Sequence, residues 1–103
     1  MGTKNNPGRF DCYHAAEPDE PMFVLLARDL SASCLIQIWA GMRTKDADML
    51  HTGIANAMSM FKHAPHPSVK DQAKAEEADK CREAMVKWYM ENRLSTNKGE
   101  QPK

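Results

Sequence analysis

Cys12, His14, His63 and His66 are of the types that hold zinc. Cys12 and His14 stand two apart, and His63 and His66 three apart. Structural zinc sites present two paired Cys or His spacings, and Cys-Tyr-His makes a poor clamp. His66 lies between Pro65 and Pro67, where an exposed imidazole needs no ligand role. No metal and no other cofactor is therefore expected. Cys12 with His14 also has the composition of an activated thiol. Residues two apart in an extended segment point to opposite sides, however, and Cys34 and Cys81 fall beside or within apolar helical stripes, where cysteine acts as a small hydrophobe.

Glu17, Asp19 and Glu20 could form an acid–base pair or a hard-cation site. Their position around Pro18 and Pro21 fits helix initiation as well, with Asp19 as cap and negative charge in the first turn. The remaining constellation is Arg28 and Arg43 with the aromatic residues Phe10, Tyr13 and Trp39. Guanidinium offers a fork for an anion and an aromatic ring offers a plane for a base, which is what a nucleotide or phosphate ligand needs. Tyr13, Arg28, Trp39 and Arg43 are the candidate ligand-binding residues. No catalytic residue is assigned, and the chain is not expected to be an enzyme.

These groups must be positioned by helices, because no segment sustains period-2 alternation. Four helical segments fit the pattern. Asp19 caps the first, whose apolar run is Met22 to Leu26 and which Arg28 closes. The second opens at Asp29 or Ser31 and runs to about Arg43, with Leu35, Trp39 and Met42 as its apolar face and Ile36 and Ile38 flanking. The third covers about Asp46 to Lys62, with Leu50, Ile54, Ala57, Met58 and Phe61 as its face. Gly53 inside it should cost about 1 kcal/mol against alanine. Two prolines at 65 and 67 break the chain. Ser68 then caps a long helix from about Val69 to Arg93, with Ala78, Cys81, Met85 and Trp88 in one stripe and charged pairs on the other face. The predicted fold is all-α, a small bundle of about four helices. It forms one domain over residues 10–94, with disordered tails at 1–9 and 95–103.

Fourteen basic residues balance fourteen acidic ones. That balance disfavours nucleic acid as a partner, since phosphate binding calls for a basic excess. The polar N-terminus predicts no secretory leader, and no apolar run reaches membrane-spanning length, so no membrane partner is expected. Three cysteines without framework spacing read as reduced thiols. Eight methionines are more than a core of this size needs. With Ile38 and Tyr89 as exposed candidates, the surplus favours a homo-oligomer or a protein partner.

Phe10 to Trp39 resembles a group of small bacteriophage and prophage proteins. The matching residues are Asp11-Cys12-Tyr13, Pro18 to Asp29 and Trp39-Ala40. In the last helix Ala78 to Met85 and Trp88 look similar too. The match covers about half the chain. Leu30 stands where the group has proline, and the stretch between Arg43 and Ser68 is longer. The resemblance implies a phage origin and the host bacterial cytoplasm, and it brings no catalytic residue. The function expected is non-enzymatic binding that counters host defence, by holding a nucleotide immune signal in a pocket between protomers. The alternative is an inhibitor or scaffold that binds a host protein through a Met-rich helical face.

Overall fold

A computed structural model describes residues 1–10 and 12–94. Among these every regular element is helical, as the sequence predicts: α1 Cys12–Ala15, α2 Ala32–Thr44, α3 Ala47–Lys62 and α4 Val69–Tyr89, the last continuing into a π-helical turn, Met90–Leu94. The chain divides into two compact units. One holds Met1–Phe23 and Val69–Lys103, the other Val24–Ser68. The predicted tail at 95–103 lies outside the described residues.

In the first unit the N-terminal segment closes a loop: the Met1 ammonium donates to the Phe10 carbonyl at 3.1 Å. Among the described residues the predicted first helix is absent, and the helical turn nearby is α1. Glu20 does not open a helix. Its backbone N–H donates to the Glu17 carbonyl, and its carboxylate accepts from the Glu17 N–H, both at 3.0 Å. Five apolar residues are too few to sustain an isolated helix. The Met22 carbonyl accepts instead from the Cys81 thiol at 3.3 Å. On α4 the predicted stripe holds, for Ala78, Cys81, Met85 and Trp88 are its half-buried positions. The helix stops at Tyr89 rather than Arg93.

The second unit is built on an α2–α3 hairpin. Asp29 does not cap α2; its carboxylate accepts from the Ser31 backbone N–H at 3.1 Å and hydroxyl at 2.8 Å, which folds the turn before the helix. Lys45 ends α2 in the left-handed conformation, φ 58°. The Lys45 and Asp46 N–H groups both donate back to the Gly41 carbonyl. Asp46 then caps α3, accepting from the Met49 N–H at 3.1 Å. A two-residue link thus reverses the chain.

Close approach of the helices fixes the register. A β-carbon at Gly41 would lie 2.6 Å from the Leu50 backbone nitrogen, and one at Gly53 3.0 Å from that of Ile38. The Cys34 thiol meets the Met60 sulfur at 3.8 Å. Numbers rise along one helix as they fall along the other, so the helices are antiparallel. The seam is Cys34, Ile38 and Gly41 against Leu50, Gly53, Ala57 and Met60. On α2 it is offset by one residue from the predicted face Leu35, Trp39, Met42; on α3 it takes Leu50 and Ala57 of the predicted face and leaves Ile54, Met58 and Phe61 outward. Glycine lets the backbones come nearer than any large side chain permits, so the helices close on their small residues. Ile38, expected to be exposed, is accordingly half-buried.

Candidate functional site

Trp39 and Arg43 are one helical turn apart, which puts them on the same side of α2. The Arg43 guanidinium carbon stands 5.2 Å from the centre of the Trp39 ring, a cation–π arrangement. Arg43 lies in the last turn, where a cation suits the helix dipole. No carboxylate among the described residues pairs with it, so its outer N–H groups can reach an anion. One face of the indole is taken by this arginine, and a stacking base would use the other.

Of the four candidate residues, the structure brings these two together. Arg28 sits in the turn before α2, at the opposite end of the helix from Arg43. Thirteen residues of α2 span about 20 Å, so the two arginines of one copy do not converge on one small anion. Tyr13 lies on α1 in the other unit, exposed, its ring edge-on to His14 at 5.9 Å. Phe10 is exposed under the guanidinium of its neighbour Arg9.

Sequence reasoning missed a second arginine–tryptophan pair. Arg93 stands 4.9 Å from the Trp88 ring centre. This arginine is engaged by Glu17, whose carboxylate accepts from it at 2.8 Å and holds its proton more firmly than usual. The acidic cluster is thereby a structural fastening: Glu17 ties to Arg93 and Glu20 closes the turn. No signal in the chain marks a contact between residues 76 apart. Among the described residues, no three metal-ligating side chains gather. The His63 ring nitrogen donates to the Ser59 carbonyl at 2.9 Å, an end-of-helix bond.

The largest feature was visible only in part. Leu35, Trp39 and Met42 each follow a seam residue of α2, and Ile54, Met58 and Phe61 each follow one of α3. A step of one residue turns by about 100°. In antiparallel helices that turn leads to the same side, so all six side chains share one face of the hairpin. Their exposures run from 41% at Leu35 to 78% at Phe61. By the same step His51, which follows Leu50, stands exposed at the hairpin end of this face; the rest is apolar, uncharged and two rows wide, with the Arg43–Trp39 pair at its rim.

The chain matches no family model, no curated protein and no solved structure. The α2–α3 face can bury apolar surface, and its rim can hold an anion beside an aromatic plane. Among the described residues no helix is long and apolar enough to cross a membrane.

Proposed function

We propose that this chain is a non-enzymatic binding protein whose α2–α3 face receives an apolar helical surface of a protein. The observation that carries the reading is the six-residue face. Taking about 200 Å2 for a whole large side chain, it exposes roughly 700 Å2. A monomer's largest apolar patch is typically about 300–600 Å2. Met42 and Met58 give the face adaptable contacts, and Trp39 gives it a rigid anchor. Such a face suits an inhibitor or scaffold that works by contact. In the phage setting implied by the resemblance, the role is counter-defence by binding, in the host cytoplasm.

Trp39 reports on the face directly. In a Trp88→Phe variant it is the chain's one tryptophan. Its emission should be long-wavelength in dilute solution and shift to shorter wavelength as an amphipathic helical peptide, or the chain itself, is added. Emission that never moves rejects the reading.

A second reading is favoured by Arg43, the tryptophan-stacked arginine without a carboxylate partner among the described residues. It holds that the rim takes the phosphate and base of a nucleotide, in the pocket between protomers expected for an immune signal. Cyclic and ADP-ribose-derived nucleotides should then give calorimetric heats and quench Trp39, with Arg43→Ala removing both. Flat traces across that panel dismiss it.

A further inference from the structure

We propose that the occupant of the α2–α3 face is the same face of a second copy, making an isologous dimer in which two helical hairpins pack as a four-helix unit. The inference rests on the docking reading above and names its partner.

Area is the first argument. Each copy offers roughly 700 Å2 on this face, close to the about 800 Å2 per partner of a standard stable interface. A second copy brings a surface of the same length and the same two-row width.

Charge is the second. The six side chains carry none, and the two helices together hold only Arg43, Asp48 and Lys62 as charged residues. Charged residues make up 27% of the whole chain. A partner surface of ordinary composition would press charges against apolar side chains, losing their water without a counter-charge. A second copy presses leucine, isoleucine, methionine and aromatic rings there instead.

The seam supplies the third. Its buried positions are Cys34, Gly41 and Gly53, while Ile38, Leu50 and Met60 are only half-buried, so the contact between α2 and α3 fully buries no large apolar side chain. The six more exposed large residues stand one position to the side. A helix layer is stable when such residues meet a second layer, and a two-fold axis provides one at the least cost in sequence. Antiparallel hairpins stacked at about 20° make the common four-helix packing.

Sedimentation equilibrium of the full chain tests the proposal. Circular dichroism confirms folding. The expected mass is twice 11.6 kDa at micromolar concentration. Met58→Glu, an exposed position on the face, should weaken association at least about tenfold. Ser59→Glu, on the other side of α3, should leave it unchanged. Should Met58→Glu lose helicity, Phe61→Gln replaces it, because Phe61 is the most exposed member of the face. A single-chain mass throughout the micromolar range overturns the proposal, and so does a dimer indifferent to both face variants. If the chain is a monomer while a peptide still shifts Trp39 emission, the docking reading stands and the second copy is the wrong partner. If neither occurs, both fall.

Discussion

The α2–α3 hairpin and α4 solve the problem of being a helix in opposite ways. Three of the 29 residues of α2 and α3 are charged, against 10 of 21 in α4. The long helix α4 meets water with charges and covers a narrow stripe of Ala78, Cys81, Met85 and Trp88. Its ion pairs, such as Arg82 to Asp79 at 2.8 Å, are exposed and worth little each. The hairpin draws on backbone proximity instead: two glycines let the helices touch, a cap and a left-handed residue turn the chain, and large side chains are left outward. One element is adapted to solvent. The other is adapted to a neighbour.

That contrast can be broken most sharply at the glycines. Gly41→Ala places a methyl against the backbone of Leu50, which cannot move aside without parting the helices. The expected loss is about 2–3 kcal/mol in urea unfolding. Gly53→Ala meets Ile38 Cγ1 at 2.9 Å as well as backbone, so part of the strain relaxes and about 1–2 kcal/mol is expected. Helix propensity alone argues a gain of about 1 kcal/mol at that position. On α4 the same methyl has the opposite sign: Ala75→Gly, at an exposed position, should cost about 1 kcal/mol. A stabilising Gly53→Ala would remove the distinction between the two regions.

The connection sharpens the contrast at a smaller scale. Asp46→Ala removes the acceptor of the Met49 N–H and should cost about 1 kcal/mol. Lys45→Gly relieves a left-handed conformation and should stabilise by somewhat under 1 kcal/mol. Thermal unfolding of each variant separates the signs. The smallest effect belongs to α4. The Arg82 hydrogen bond and charge hold Asp79 below the ordinary 3.8. Its contribution is present above that value and is lost as pH falls through the lowered one. Asp79→Asn should therefore differ slightly from the native chain at neutral pH and match it in strong acid, by melting temperature.

How much of this was legible in the sequence depended on the length of the signal. The all-α class, the bounds of α3 and the α4 stripe came from periodicity over many residues, with Asp46 marking the start of α3. The Met22 to Leu26 segment failed because five contiguous apolar residues carry no period, and the capping chemistry around Pro18 and Pro21 served a turn. The seam was misjudged by one residue on α2, and on α3 the expected face mixed Leu50 and Ala57 of the seam with the outward Ile54, Met58 and Phe61. Hydrophobic pattern reads large side chains as core, whereas here Gly41 and Gly53 decide which side of each helix faces the other. Of the candidate site, the Trp39–Arg43 spacing was readable as a helical turn. Tyr13, on the other unit, and Arg28, beyond the far end of α2, were grouped with it by residue type, a signal that contains no distance.

The glycine seam also bears on descent. A residue on the outward face can change size or polarity and leave the hairpin standing, so that surface is free to drift with whatever it meets. Gly41 and Gly53 have no such latitude, and the cap at Asp46 has little. Two glycines twelve positions apart, with an aspartate five after the first, form a fingerprint that should outlast every other likeness between this chain and its distant kin.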